Sequence, residues 1–203
     1  MEEPKRYTQI KVFMCEVSEI TRERRRIMFW MVSGGSGSGK SEYAENMTVN
    51  LQKVSEDKTL IYIATMMASD EESKEKIKRH RNMRKGKGFL TKECATQLKN
   101  LKVPGHGTIL LDCMSNLTAN EMFGEQGAGA QTTEEIIQGI DYLLEQCENL
   151  VVVTNEIFSD GCEYDDVTKE YIHHLGNINQ YMAQKADIVV EVVCGIPIYH
   201  KKI

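Results

Sequence analysis

The stretch S-G-G-S-G-S-G-K-S at residues 33–41 decides the fold of this 203-residue chain. From its first glycine onward it matches G-x-x-x-x-G-K-[ST], the pattern of a loop that binds the phosphates of a nucleoside triphosphate. The context agrees, because an apolar run, Met28–Ser33, precedes the loop and a helix-compatible stretch, 41–54, follows it. Glycines let such a backbone curl around an anion and present several N–H groups at a helix N-terminus. The predicted nucleotide-binding loop, called the P-loop below, comprises Gly34, Gly35, Ser36, Gly37, Ser38, Gly39, Lys40 and Ser41.

Three side chains in and around the P-loop have predicted roles in phosphate chemistry. We expect Lys40 to act as a catalytic positive charge that bridges the β- and γ-phosphates, and Ser41 to hold Mg²⁺ through its hydroxyl. The second Mg²⁺ ligand is expected at the end of another buried strand. The run Thr108–Leu111 stops at an acidic residue, which makes Asp112 the candidate. The loop does not identify the reaction, since kinases, GTPases, transporters and motors all use it.

Apolar strand-like runs alternate along the chain with longer polar stretches that are compatible with helices. This alternation predicts right-handed crossovers and an α/β fold with a mainly parallel sheet flanked by helices. The stretch Ile196–Lys202 follows Gly195 closely, so we expect it to return as an antiparallel edge strand. The predicted strands are Met28–Ser33, Leu60–Ala64, Thr108–Leu111, Leu150–Thr154 and Ile188–Val193, and the predicted helices are 41–54, 70–85, 133–147 and 166–185.

Length and composition predict one catalytic domain with a short extension. Residues 1–26, which end in R-E-R-R-R, are interpreted as an N-terminal extension, and residues 27–203 as a single P-loop domain. The net charge of −5 argues against a general nucleic-acid binder. No apolar run approaches the roughly 20 residues that span a bilayer, and the charged N-terminus is not typical of a signal peptide. The six cysteines form no C-x-x-C pair, so a cytoplasmic protein without a zinc site or disulfide framework is expected.

A second group of chemistry-bearing residues lies at 76–84, where five cationic side chains flank His80. Arginine presents a planar fork to phosphate oxygens, and a neutral imidazole can attack an α-phosphorus to form a phosphoramidate. Neighbouring cations are expected to favour that neutral imidazole. The alternative interpretation is a solvated basic helix. The other histidines are weaker candidates for the nucleophile. His106 lies in a predicted loop, His200 lies near the C-terminus, and His173 and His174 lie on a predicted helix.

Together these residues resemble the bifunctional adenosylcobinamide kinase / adenosylcobinamide-phosphate guanylyltransferase family of cobalamin biosynthesis. The resemblance covers residues 28–202 and implies a RecA-like α/β sheet. Beyond the P-loop its segments, in family order, are I-Y-I-A-T (61–65), I-K-R-H-R (77–81), T-K-E-C (91–94), L-L-D-C (110–113), V-T-N-E (153–156), G-N-I-N-Q (176–180) and C-G-I-P (194–197).

The resemblance implies two reactions with one enzyme. A nucleoside triphosphate, ATP or GTP, phosphorylates adenosylcobinamide, and GMP then moves from GTP to that phosphate through a GMP-histidine intermediate. His80 falls on the position of that histidine. The resemblance also implies Mg²⁺ as cofactor, a corrinoid substrate and a homotrimer. Besides the P-loop, the implied nucleotide-binding positions are Ala64, Thr65, Met66, Arg81, Asn82, Met83, Arg84, Glu93 and Asp112.

The chain departs from the family pattern at three places and leaves other functions open. The sequence I-F-S-D-G at 157–161 replaces a glycine and Val-Pro segment, His173 replaces an aspartate, and K-G-K-G at 85–88 replaces an Arg-Pro. The alternatives are a monofunctional P-loop kinase of another small alcohol and a non-enzymatic GTP-binding regulatory protein. RNA contact by the basic stretch 76–87 is disfavoured, because no aromatic residues are interleaved there.

Overall fold

The computed structural model describes residues 27–68, 70–159 and 161–203, without the side chains of Glu72 and Met83. The predicted extension, residues 1–26, lies outside the described residues. Within the described part, the elements are β1 (Met28–Ser33), α1 (Lys40–Val54), β2 (Leu60–Ala64), α2 (Glu71–Arg84), β3 (Leu90–Glu93), β4 (Thr108–Asp112), α3 (Met114–Phe123), α4 (Thr132–Glu145), β5 (Asn149–Val153), α5 (Asp166–Lys185), β6 (Ile188–Val193) and β7 (Ile196–Lys201).

The strands form one sheet in the order β3-β2-β4-β5-β1-β6-β7. Neighbouring strands from β3 to β6 are parallel, and only β7 pairs antiparallel, with β6. The predicted α/β class, the mainly parallel sheet and the antiparallel C-terminal edge strand are therefore confirmed. Because parallel strands share one direction, their carboxyl ends meet along one edge. There Ala64 stands in register with Glu93 on one side and Asp112 on the other.

Helices cover both faces of the sheet. On one face α3, α4 and α5 pack over the strands with side chains such as Leu117, Ile140 and Ile178, all 0% exposed. On the other face α1 packs Leu51 against a layer that includes Trp30. Burying one large aliphatic side chain stabilises a fold by about 1.5–3 kcal/mol. The two apolar layers thus fix the sheet, and with it the edge where the strands end.

Helix α2 packs differently from the others. Of its side chains that the structure describes, only that of Arg84 is buried. Its first turn is capped by Asp70, whose carboxylate accepts a hydrogen bond from the Ser73 amide at 2.7 Å. Since α2 carries so few apolar contacts, polar interactions must hold it against the sheet.

Two elements were not predicted from the sequence, the strand β3 and the helix α3. The predicted strands and helices are present, with ends that differ by up to two residues. Among the described residues, no helix has the length and apolar character needed to cross a membrane.

Candidate active site

The P-loop connects β1 to α1, as predicted. Three of its glycines have positive φ: Gly34 at 153°, Gly37 at 72° and Gly39 at 91°. Gly34 is also sterically restricted, because a Cβ there would lie 2.6 Å from both the Ser38 hydroxyl and the Val192 carbonyl oxygen. The curl of the loop therefore depends on glycine.

Two neighbouring segments hold the P-loop in place. The Glu156 amide, after β5, donates to the Gly34 carbonyl at 3.1 Å. The Gly195 amide, in the β6–β7 turn, donates to the Ser38 carbonyl at 2.8 Å. The loop is thus fixed from both sides by the ends of the strands that flank β1.

Lys40 is the first residue of α1 and lies folded into the loop. Its ammonium donates to the Gly35 carbonyl at 3.0 Å, and the residue is 8% exposed. Burial lowers the pKa of Lys40, and the charge of the Asp112 carboxylate opposes that shift. A phosphate in the loop would replace a neutral carbonyl partner with a charged one, which makes the hydrogen bond stronger.

Asp112 is the last residue of β4 and is 7% exposed. The Tyr62 hydroxyl donates to its Oδ2 at 2.9 Å. Burial, followed by the adjacent Asp112 charge, raises the pKa of Tyr62 far above its usual range, so this phenol stays protonated as a donor. The His80 Nδ1 lies 3.3 Å from the same Oδ2. Neither contact uses the second carboxylate oxygen, Oδ1.

The contact between His80 and Asp112 changes the expected electrostatics of the histidine. The sequence predicted that cations would favour a neutral imidazole, whereas the structure places a carboxylate against Nδ1. A carboxylate there favours a proton on Nδ1, which leaves Nε2 without one in the neutral ring. In this tautomer, which the Asp112 carboxylate favours, Nε2 is the ring nitrogen that carries a free lone pair.

A cavity of about 660 Å³ lies between α2 and the carboxyl ends of β2, β3 and β4. Part of its wall is apolar, from Ile77, Met67 and Ala95. No described P-loop residue lines it, and Asp112 connects the two regions because it lines the cavity and acts on Lys40. Eight predicted site residues line it: Ala64, Met66, His80, Arg81, Asn82, Arg84, Glu93 and Asp112.

The remaining predicted residues lie elsewhere. Thr65 is fully buried, and its hydroxyl donates to the Cys113 carbonyl at 2.7 Å and accepts from the Cys113 amide at 2.8 Å. Its side chain thus joins the ends of β2 and β4. Met83 belongs to α2, with its side chain outside the described residues. Ser41 is half-buried in the first turn of α1.

The sequence analysis missed three residues around this site. The Tyr62 hydroxyl orients Asp112 through a hydrogen bond, but the sequence alone presents Tyr62 as another apolar residue of a strand. Glu45 is a fully buried carboxylate on α1, and Lys87 donates to its Oε2 at 2.7 Å. The only available signal for Glu45 was its position beside Ala44 and Thr48, on the side of α1 that faces the sheet.

The P-loop and the Asp112 carboxylate fit an Mg²⁺ ion that is held mainly by a nucleotide. Mg²⁺ is typically bound by one or two protein oxygens together with substrate phosphates and waters. Among the described residues, no group of three or more His, Cys, Asp or Glu side chains is placed to hold a metal. Ser41 and the Oδ1 of Asp112, which the Tyr62 and His80 contacts do not use, match the smaller ligand set.

Comparisons with known proteins agree with this geometry. The family model described as cobinamide kinase / cobinamide phosphate guanyltransferase matches residues 30–199. The chain belongs to this family. The predicted resemblance is thereby confirmed, and the protein is an enzyme of cobalamin biosynthesis that combines kinase and guanylyltransferase activity.

Curated relatives match this member of the cobinamide kinase / guanyltransferase family over nearly their whole length. The bifunctional adenosylcobalamin biosynthesis protein CobU of Salmonella typhimurium is 30% identical over 183 residues, 83% of this chain and 97% of that protein. CobU of Escherichia coli is 28% identical with the same coverage. CobP of Pseudomonas aeruginosa is 24% identical over 82% of this chain and 94% of its own. Among solved structures, one described as an ATPase domain aligns with a TM-score of 0.42 and 11% identity, over 94% of this chain and 84% of that one.

Proposed function

We propose that this enzyme phosphorylates adenosylcobinamide with a nucleoside triphosphate and then transfers GMP from GTP to the product, with His80 carrying the GMP. The observation that supports the covalent step is the 3.3 Å contact between His80 Nδ1 and Asp112 Oδ2, in a cavity beside the P-loop. Both ATP and GTP are substrates in this proposal.

In the kinase step, the P-loop amides and Lys40 bind the β- and γ-phosphates. The corrinoid hydroxyl oxygen forms a bond to the γ-phosphorus, and the hydroxyl proton passes to solvent. The bond from that phosphorus to the bridging oxygen breaks, and the nucleoside diphosphate leaves with the electron pair. Lys40 is already confined by burial and by its bond to Gly35, so little reorganisation is needed to neutralise charge on the leaving oxygens.

Ser41 and Asp112 are the proposed Mg²⁺ ligands. Asp112 uses Oδ2 for Tyr62 and His80, which leaves Oδ1 for the metal or its water. When bound, Mg²⁺ supplies positive charge to the phosphate oxygens. Tyr62 keeps Asp112 in one orientation for this purpose.

In guanylyl transfer, the Nε2 of His80 forms a bond to the α-phosphorus of GTP. The bond between that phosphorus and the bridging oxygen breaks, and pyrophosphate leaves with its electron pair. The Nδ1 proton stays between the imidazole and Asp112, which stabilises the positive charge on the ring. A phosphate oxygen of cobinamide phosphate then attacks the α-phosphorus, the N–P bond breaks, and free His80 returns.

The other cavity residues are proposed to bind the nucleotide. Arg81 is exposed and forms an ion pair with Glu93 at 3.0 Å, a surface contact that a phosphate can replace at little cost. Thr65 is proposed to contribute through its backbone, because its hydroxyl is engaged with Cys113. The proposed nucleotide-binding residues outside the P-loop are Ala64, Thr65, Met66, Arg81, Asn82, Met83, Arg84, Glu93 and Asp112.

The remaining predictions about the whole protein are kept as proposals. Residues 27–203 form one catalytic domain that follows an extension at 1–26, and the enzyme is a homotrimer in the cytoplasm that binds no nucleic acid. Burial raises the pKa of Cys94 and Cys113 to about 11 and that of Cys147 to about 12. Such thiols stay protonated and unreactive.

Retention of an α-phosphate label tests the covalent step. The enzyme is incubated with Mg²⁺ and GTP labelled at the α-phosphate, denatured, and treated with acid or alkali. A phosphoramidate is acid-labile and alkali-stable, so such a label is expected on the wild type and is expected to be lost in His80→Ala. His200→Ala is the matched control, because His200 also contacts a carboxylate, Glu191, at 3.0 Å. GTP binding without any label would contradict the intermediate.

A further inference from the structure

Glu45 is a buried charged residue that the proposed chemistry does not use. It lies on α1 and is 0% exposed. Its Oε2 accepts a hydrogen bond from the Lys87 ammonium at 2.7 Å, and its Oε1 has no hydrogen-bond partner among the residues that the structure describes. Burial raises the pKa of Glu45, and the nearby charges of Lys87 and Arg84 oppose that shift. A buried carboxylate is costly to desolvate and destabilises a fold unless other groups compensate it, so its neighbours must explain its presence.

The partner of Glu45 lies in the turn that ends α2. Lys87 stands between two glycines, Gly86 and Gly88, each with φ of 83°. The Lys87 amide donates to the Arg84 carbonyl at 3.0 Å, which ties the turn to the last residue of the helix. The ion pair between Glu45 and Lys87 therefore fastens the C-terminal end of α2 to α1, the helix that follows the P-loop.

The same end of α2 is connected to His80 through the sheet. The Arg84 guanidinium carbon lies 3.5 Å from the centre of the Tyr62 ring. Tyr62 donates to Asp112, and Asp112 contacts His80, one turn before Arg84 on the same helix. The Tyr62 ring, which Arg84 covers, and the Glu45 carboxylate, which interacts with Arg84 through its charge, thus both lie near the C-terminal end of α2.

These contacts matter because α2 has little else to hold it. Arg84 is its only buried side chain among those that the structure describes. His80 must stay within reach of Asp112 while its helix carries an exposed, basic surface. Without the anchor at its C-terminal end, α2 would keep its hydrogen bonds but shift relative to the sheet.

We infer that Glu45 is a positioning residue for His80: with Lys87 it anchors the end of α2 and so sets the imidazole against Asp112. The effect on catalysis rests on the proposed guanylyl transfer. The effect on the position of His80 does not, because it follows from the contacts alone. Lys40 makes its contact within the loop, so the kinase step does not depend on this anchor.

Glu45→Gln is the test, because glutamine keeps the shape and an acceptor for Lys87 but removes the charge. Glu42→Gln is the matched control, since Glu42 lies on the same helix and is exposed. The maximal rate of α-phosphate labelling should fall about tenfold in Glu45→Gln, as expected for a displaced reacting group, and Glu45→Asp should restore part of it. The rate of corrinoid phosphorylation at saturating nucleotide should change less than about twofold, whereas a general loss of structure would lower this rate as well.

A second measurement does not require guanylyl transfer. The rate at which diethyl pyrocarbonate modifies His80, read by mass spectrometry with His80→Ala as the blank, should rise roughly threefold in Glu45→Gln because the helix is looser. A changed modification rate in an enzyme that forms no label would support the positioning role and contradict the proposed function. Normal labelling and normal modification in Glu45→Gln would overturn the positioning role alone. Equal losses of labelling and phosphorylation would also overturn it.

Discussion

Tyr62→Phe removes one hydroxyl that orients Asp112 and keeps the ring that packs against Arg84. The lost bond is 2.9 Å long, is buried, and ends on a carboxylate. Hydrogen bonds to charged groups contribute about 1.5–3 kcal/mol. Asp112 keeps its contact with His80 and is 7% exposed, so the lower part of that range, about 1.5–2 kcal/mol, applies. In a chain of this size, each kcal/mol lost from the free energy of unfolding lowers the midpoint of thermal unfolding by about 2–4 °C, which predicts a fall of about 3–8 °C in Tyr62→Phe.

The same substitution should slow guanylyl transfer. Asp112 loses one of its two contacts on Oδ2, and a loss of about 1.4 kcal/mol in transition-state stabilisation corresponds to a tenfold lower rate. The assay is the initial rate of acid-labile α-phosphate labelling at saturating GTP, alongside thermal unfolding followed by circular dichroism. Tyr199→Phe is the control, because the Tyr199 hydroxyl also makes a 2.9 Å bond, but to the neutral Tyr43 hydroxyl. A labelling rate within twofold of the wild type in Tyr62→Phe would refute the role given to this hydroxyl.

Two further predictions concern the P-loop and a turn at the opposite end of the sheet. Gly34→Ala should abolish measurable GTP binding in a fluorescence titration, because its Cβ would lie 2.6 Å from the Val192 carbonyl oxygen at a φ of 153°. Gly35→Ala is the control, since a Cβ there has nothing within 4 Å, and it should bind GTP within severalfold of the wild type. Equal GTP binding by the two variants would contradict the steric argument. Asp57→Asn should lower the unfolding midpoint at pH 7 and lose this effect in acid. The hydrogen bond from the His106 amide, with those from Thr59, lowers the pKa of Asp57 in the folded protein below its ordinary value. The stabilisation from Asp57 is therefore present when the pH is above the pKa of the unfolded chain, and it disappears as the pH falls through the pKa of the folded protein. A difference between Asp57→Asn and the wild type that persists unchanged in strong acid, below the folded pKa, would contradict this assignment.

The central part of the fold was predictable from the sequence because its signals are local. Each inner strand is a continuous apolar run, as expected for a parallel sheet that is buried on both faces. The P-loop is a contiguous pattern between a strand and a helix, so its position followed directly. The antiparallel β7 was predictable because Cys194 and Gly195 alone separate its residues from β6, and so short a connection forms a tight turn.

The two missed elements lack such signals. All four residues of β3 are exposed, so the strand shows no apolar alternation, and its sequence, L-T-K-E, is typical of an edge. Helix α3 carries Ser115, Thr118 and Asn120, which have low helix propensity. The Thr118 hydroxyl donates to the Met114 carbonyl at 2.9 Å, but Asn120 donates to the Thr65 carbonyl and Ser115 accepts from the Asn155 amide, contacts that only the folded chain provides.

The site was predictable only as far as its residues lie in recognisable segments. His80 and Asp112 were both named, but their contact joins positions 32 residues apart and places a carboxylate beside a histidine that the sequence surrounds with cations. Glu45 and Lys87 lie 42 residues apart, and neither belongs to a motif. A charged residue on a helix is usually exposed, so a buried ion pair of this kind cannot be found from one sequence.

The central claim is that His80 carries GMP from GTP to cobinamide phosphate, and a chase experiment tests it most directly. Enzyme labelled from α-labelled GTP is freed of nucleotide and mixed rapidly with cobinamide phosphate, and the label on protein and on corrinoid is followed over time. The account predicts that label leaves His80 and appears on the corrinoid at a rate at least equal to turnover. Label that stays on the protein while unlabelled GTP supports normal product formation would contradict the claim.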